Sequence, residues 1–183
     1  MLLGSLLAAC GVFAASTAAQ RSRPEEYQVK AVYLFNFGKF IEWPAAPPKD
    51  EPFTICVLGL DPFGAILDVT IAGETIDNRK LVARRIAGAQ DTADCRILYI
   101  SSSEAARVKD IVAAARKAAV LTVSDLPGFT GNGGMIQFVL RENKVRFEVN
   151  LTAAEKAGLT LSSQLLKVAT DIRKEAAGEG ESR

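Results

Sequence analysis

The chain has 183 residues, of which 49% are hydrophobic and 23% charged, enough material for one packed domain and too little for a second. The 22 Lys and Arg against 21 Asp and Glu leave a formal charge of +1, so no field of one sign is available to gather nucleic acid or anionic lipid. Histidine is absent, which excludes Ser-His-Asp, Cys-His and HExxH chemistry, and the 3 cysteines are too few and too scattered for a structural zinc site.

Met1 to Ala19 carry no charged side chain and precede Arg21, Arg23, Glu25 and Glu26, the pattern of a secretory signal ahead of a mature protein. Thr17 and Ala19 are the small residues expected before a cut that makes Gln20 the first residue. The segment lacks the usual basic start. Its alternatives are a buried or membrane-spanning helix, or a lipoprotein signal in which Leu7-Ala8-Ala9-Cys10 offers Cys10 for lipidation. Cleavage removes Cys10 and leaves an even pair, Cys56 and Cys95, which an oxidising compartment is expected to join. The competing state is two buried free thiols.

Glu25 to Trp43 reads as a long helix stopped by Pro44. Tyr27, Tyr33, Phe35, Phe37, Phe40 and Trp43 crowd it with aromatics, and Gln28, Asn36, Lys39 and Glu42 leave a narrow polar stripe. Such a helix is buried on most sides, either within its own domain or against a second chain. Phe53 to Gly59 is a continuous apolar run that suits a central strand, and Asp61-Pro62 is expected to cap a short helix through Val69. Strands are expected at Lys80 to Ile86 and Arg96 to Ser101, followed by a helix from Glu104 to Ala118 capped by Ser102 or Ser103, and a strand at Val120 to Val123. Met135 to Leu140 and Lys144 to Val149 read as a hairpin, and Ser162 to Glu175 as a last helix with Leu165, Leu166, Val168, Ala169 and Ile172 inward. The fold class is therefore α/β: a single domain over 20–175 with a mostly parallel mixed sheet and helices on both faces, followed by a flexible tail at 176–183.

Two glycine clusters invite functional readings. Gly59, Asp61 and Gly64 fall where a strand ends and a helix begins, the ligand crevice of open α/β sheets, but the segment lacks the GxGxxG and P-loop patterns. Gly131 to Gly134 leads into a strand and reads as a turn, or as a place where a partner backbone comes close. Arg79, Arg84 and Arg85 form a local basic patch, read as a solvated strand face or an acidic-partner site, and Asn150 as the cap of a helical turn. No two carboxylates can be paired as acid and base.

Taken in order, Glu26-Tyr27-Gln28-Val29-Lys30-Ala31, Tyr33-Leu34-Phe35-Asn36-Phe37 and Phe40-Ile41-Glu42-Trp43-Pro44 resemble the opening of the YfiR-like proteins, the DUF4154 family. Ile55 to Gly59 with Asp61 to Gly64, Cys95 to Ser101, Leu121 to Val123, Gly133 to Ile136, Arg146 to Asn150, and Gly158-Leu159 leading to Ser162 to Leu166 continue the resemblance. It implies a periplasmic, non-catalytic regulatory protein without cofactor or metal. Such a protein is a homodimer that restrains an inner-membrane diguanylate cyclase or another membrane sensor, lowers cyclic-di-GMP and biofilm, and carries a Cys56–Cys95 core disulfide. Some members hold a second cysteine pair near the glycine loop; Thr130 and Gln137 stand in that neighbourhood here. Tyr33, Phe37, Phe40, Trp43, Gly133 and Gly134 are the expected partner or dimer surface. The alternative is a periplasmic small-molecule binding module that uses the Gly59–Asp61–Gly64 crevice and feeds a sensor such as a histidine kinase.

Overall fold

The structure, a computed structural model, describes residues 23–44 and 51–174. The signal segment, Cys10 and the tail at 176–183 lie outside the described residues. Helix α1 (Arg23–Phe40) is followed by the two-residue strand β1 (Ile41–Glu42) and the fully buried strand β2 (Phe53–Leu58). Then come α2 (Ala65–Ile71), β3 (Thr75–Ile76), β4 (Arg79–Ile86), β5 (Ile97–Ile100), α3 (Val108–Lys117) and β6 (Leu121–Ser124). The hairpin β7 (Ile136–Arg141) and β8 (Lys144–Asn150) leads to α4 (Leu151–Lys156), β9 (Thr160–Leu161), α5 (Ser163–Val168) and β10 (Asp171–Arg173).

Eight of these strands form one sheet in the order β10-β8-β7-β6-β5-β2-β4-β3. The β7–β8 and β3–β4 pairs are antiparallel and the other pairs parallel, which makes the sheet mixed as expected. Alternate side chains of the buried strands point to opposite faces. Ile55, Val57, Ile97, Tyr99, Leu121 and Val123 join Ala31, Leu34 and Phe37 of α1 in one core. Cys56, Leu58, Leu98 and Ile100 join Val108, Ile111, Val112 and Ala115 of α3 in the other. Helices thus cover both faces, and continuous apolar runs such as Phe53–Leu58 are explained by burial on both sides. In the α3-side core, Cys56 of β2 and Cys95, two residues before β5, are joined by a disulfide with their Cα atoms 5.8 Å apart.

Several element boundaries differ from expectation. Helix α1 ends at Phe40, because Ile41 and Glu42 pair antiparallel with Leu161 and Thr160 and the Phe40 carbonyl accepts the Ser162 amide. Asp61 does not cap α2: its Oδ1 accepts the Phe63 amide in a tight local turn, and the helix begins at Ala65. The expected helix after β5 opens as a 3₁₀ segment, Ser102–Arg107, with Ser101 as its cap. The largest correction is the last helix, which stops at Val168. Thr170 donates both its amide and its hydroxyl to the Phe147 carbonyl, at 2.9 and 2.8 Å, and this pulls the chain into β10 alongside β8. Leu165 is buried as expected, but Val168 and Ile172 are exposed. Asn150 caps α4 as expected, accepting the Ala153 amide at 2.9 Å.

Candidate functional site

The chain enters the sheet at β2, passes to β4 on one side, and returns to β5 and then β6 on the other, so the strand order reverses between β2 and β5. In open α/β sheets ligands bind beyond the strand ends at that reversal. Here the immediate crevice is filled. Gly59 holds φ of +91°, and a Cβ at this position would stand 2.4 Å from Ser103 Oγ and 2.9 Å from Glu104 Cγ. The glycine therefore permits a close approach of the β2–α2 turn to the 3₁₀ segment, locked by the Leu60 amide on Ser103 Oγ at 3.0 Å.

An open cleft of about 510 Å³ lies beside it, lined by Tyr27, Asp61, Pro62, Ile66, Ser101 and Ser102. Of the three residues assigned to the crevice, Asp61 lines this cleft, whereas Gly59 and Gly64 do not. Asp61 is already engaged: its Oδ2 accepts from Arg85 Nε at 2.8 Å, and the same guanidinium clamps Asp68 through two bonds of 2.7 and 2.6 Å. The hydrogen bonds from Arg85 hold the Asp68 carboxyl below its ordinary range, and donating to Asp68 and Asp61 raises the pKa of the Arg85 guanidinium. Arg85 is thus spoken for by its own chain, and the basic patch expected from sequence is divided. Arg84 pairs instead with Asp94 at 3.1 Å.

Behind the cleft sits a buried ionic cluster. Lys30 of α1 is 3% exposed and donates to Asp125 Oδ2, just past β6, at 2.8 Å; it also pairs with Glu26 one turn earlier. Tyr27 donates to the same Asp125 oxygen at 2.8 Å, and its ring lies 4.4 Å from the Lys30 ammonium. Burial works against the charge on Lys30, but Asp125 and Glu26 outweigh it and raise the ammonium's pKa above the ordinary lysine value. Burial likewise pushes Asp125 up, and Lys30 and Tyr27 more than reverse this, leaving the carboxyl below its ordinary range. Tyr99 of β5 is fully buried next to this cluster; burial first, and the Asp125 charge second, hold its hydroxyl protonated far above the ordinary tyrosine range. Both tyrosine rings meet Phe63 edge to face, at 5.2 and 4.8 Å. The cluster ties the first turns of α1 to the end of β6, while the Tyr99 hydroxyl beside it is buried without a hydrogen-bond partner among the described residues.

The expected contact surface divides in the same way. Phe37 is wholly buried, stacked on Tyr33 and Phe138 and edge-on to Phe147, and has no surface to offer a second chain. Tyr33, Phe40 and Trp43 are half-buried against the same core. Gly134 is explained locally, since a Cβ there would lie 2.2 Å from the Phe129 ring, and Gly133 occupies the left-handed region at φ +89° in the turn after the 3₁₀ segment Thr130–Asn132.

A family model described as DUF4154, YfiR/HmsC-like, matches residues 27–170. The chain belongs to this family. It is a family of periplasmic regulators, and the segments that carry the resemblance fall within the match except for Glu26 at its edge. No curated protein matches the sequence. Among solved structures, a conserved domain protein from Vibrio cholerae is similar with a TM-score of 0.51 at 15% identity, over 66% of this chain and 54% of that one. The ABC domain from Streptococcus pneumonia in complex with L-Trp matches with a TM-score of 0.49 at 10% identity, over 66% of this chain and 55% of that one. The chain therefore spans about half the length of these structures, and the first of them supports the fold alone.

In this YfiR-like chain the Cys56–Cys95 bridge implied by the resemblance is present. Between Thr130 and Gln137 a polar contact is found instead: the Thr130 amide donates to Gln137 Oε1 at 3.4 Å. Lys30 and Asp125 escaped the reading of the sequence. The available signals were a lysine on the otherwise apolar flank of α1 and an aspartate directly after a buried strand. Each is ordinary alone, and 95 residues separate them. No helix among the described residues is long and apolar enough to cross a membrane.

Proposed function

We propose that this protein is an exported periplasmic regulator that restrains an inner-membrane diguanylate cyclase by contact with the cyclase's periplasmic domain, and so lowers cyclic-di-GMP and biofilm formation. The observation that carries the reading is the family match across residues 27–170, nearly the whole described fold. The Lys30–Asp125 and Arg85–Asp61–Asp68 clusters fit a protein that works by presenting a rigid surface, because their charged groups stabilise one another. The surface we assign to the partner or to a second copy comprises Tyr33, Phe40 and Trp43 with the Gly133–Gly134 turn. Deleting the protein in a strain that holds a cyclase with a periplasmic domain is expected to raise cyclic-di-GMP, measured by mass spectrometry of extracts. An unchanged level in that strain, together with no binding between the purified protein and that domain, sinks the reading.

The cleft beside Asp61 supports a second reading, a small-molecule binding module that feeds another membrane sensor. A ligand-dependent rise in melting temperature that disappears on Asp61→Asn, with partner binding untouched, would favour it.

A further inference from the structure

The sheet has two outer edges, and they differ in how they would meet a second copy of themselves. At one, β3 accompanies β4 only as far as Leu81, whose amide bonds to the Glu74 carbonyl at 3.1 Å, so positions 82–86 face outward with no strand beside them among the described residues. A two-fold pairing of that stretch sets Arg84 directly against Arg84 of the second copy, and like charges opposite one another push the strands apart. That edge is guarded against itself.

At the other edge, all of β10 (Asp171–Arg173) is exposed, and among the described residues no strand pairs with its outer side. β8 turns residues 148 and 150 toward β7, the Asn150 amide reaching the Met135 carbonyl at 2.7 Å, and turns 147 and 149 toward β10, where the Phe147 carbonyl takes both Thr170 donors. Ile172 stands opposite Val149 in a parallel ladder, in which only one of two opposed residues bonds across, so its own N–H and C=O face the open side. The Ile172 side chain is 41% exposed, and that of Val168 at the end of α5 is 61% exposed. Asp171 and Arg173 flank Ile172 on the opposite face of the strand, and neither has an ion-pair partner among the described residues. This edge has no like-charge guard.

Asp171-Ile172-Arg173 is its own complement when run antiparallel. With a two-fold axis at Ile172, the outward N–H and C=O of that residue exchange with those of Ile172 in the second copy. Asp171 then falls opposite Arg173 of the second copy on both sides of the axis, in the closely spaced positions that carry no backbone bonds. The open backbone groups and both charges thereby gain partners. We propose that the protein self-associates through β10 in this register, joining two eight-stranded sheets into one. The inference goes beyond the reading above: it gives the second copy an edge that contains none of Tyr33, Phe40, Trp43, Gly133 and Gly134, and leaves those residues to the membrane partner. Three residues a side make a small interface, so the dimer is expected to be reversible, with a Kd in about the micromolar range.

Sedimentation equilibrium of the mature protein between about 1 and 500 µM is expected to show a reversible shift from monomer to dimer. Asp171→Arg and Arg173→Asp each set like charges against one another across the axis, and each is expected to dimerise about tenfold or more weakly. An equimolar mixture of the two sets the arginines of one chain against the aspartates of the other. It is expected to recover the wild-type affinity within about threefold, which a merely structural effect of either substitution would not produce. Ile172→Pro removes the central outward N–H and leaves the bonds to β8 in place, so it is expected to weaken the dimer about tenfold or more with an unchanged far-ultraviolet spectrum. The proposal is overturned if the wild type stays monomeric to the top of the range, if the charge variants dimerise as the wild type does, or if their mixture associates no better than its components. Should Ile172→Pro fail to fold, the mixing experiment decides alone. Only self-association is read, so failure here leaves the restraint of a cyclase standing, and an unchanged cyclic-di-GMP level sinks that reading without touching the dimer.

Discussion

On the α3 side of the sheet a single ten-residue helix lays Val108, Ile111, Val112 and Ala115 over Cys56, Leu58, Leu98 and Ile100, and the Cys56–Cys95 disulfide ties β2 to the approach to β5. On the α1 side the apolar core is larger and richer in aromatics, and the polar fastening there is ionic, with Lys30 and Asp125 joining the helix to the far end of β6. The covalent bond therefore lies beneath the thinner cover, and the electrostatic one beneath the thicker. A small core gains most from a constraint that acts through the unfolded chain, since that gain does not depend on local packing. A buried ion pair needs a well-packed surround to exclude water and hold its geometry, which the α1 side supplies.

The sharpest way to break this comparison is to remove the disulfide. Closing a loop with a sequence separation of 39 is worth about 4 kcal/mol in the chain-entropy model. Cys56→Ser with Cys95→Ser, or reduction of the wild type, is expected to lower unfolding stability in urea by that order. A loss below about 1 kcal/mol would mean that the α3 core holds without it. The α1 side is tested by Lys30→Met, which leaves the Asp125 charge buried with only Tyr27 as partner. The expected loss is about 3 kcal/mol, at the lower end for a broken buried pair because the Asp125 side chain keeps 18% exposure. Adding Asp125→Leu to Lys30→Met is expected to recover part of that loss, and no recovery would show that the lysine acts through packing alone.

The same pair fixes the sign of the pH dependence. The Asp125 carboxyl is depressed in the folded state, so its contribution is complete above the unfolded aspartate range and is lost as pH falls through its lower folded value. Lys30 is raised, so its contribution is complete below the unfolded lysine range and is lost as pH climbs through the higher folded value. In Lys30→Met nothing but Tyr27 opposes the burial of Asp125, its pKa moves up, and the acid loss shrinks. Urea unfolding between about pH 6 and pH 2 compares the two proteins, and identical acid limbs would remove the pair from the account.

How much of this was legible beforehand follows from the range of the interactions. β2, β5, β6 and the β7–β8 hairpin announce themselves because runs such as Phe53–Leu58 and Ile97–Ile100 are apolar over their whole length. The disulfide was legible because only Cys56 and Cys95 lie beyond the expected signal segment. The end of the last helix was not, since the Leu165-to-Ile172 pattern is helical and only the distant Phe147 carbonyl, taking both Thr170 donors, pulls the chain into β10. The crevice reading could not foresee Ser103 and Glu104 filling the space over Gly59. The Lys30–Asp125 pair depends on strand order, which brings together residues that no local spacing connects.

Two smaller substitutions sharpen the contrast between tightly filled and solvent-facing positions. Gly134→Ala would push a methyl group to 2.2 Å from the Phe129 ring in the α3-side core, and about 2 kcal/mol of destabilisation is expected from that overpacking. The smallest effect belongs to the Arg85 clamp at the C-terminal end of the sheet. Its bonds to Asp61 and Asp68 are short and partly bidentate, yet the Arg85 and Asp68 side chains are 35% and 51% exposed, so water and salt screen most of the attraction. Arg85→Gln is therefore expected to cost about 0.5 kcal/mol, and the cost should fall further in high salt. A loss above about 2 kcal/mol that persists at high salt would mean that the clamp does more than join exposed charges, and that the Asp61 turn depends on Arg85 for its position.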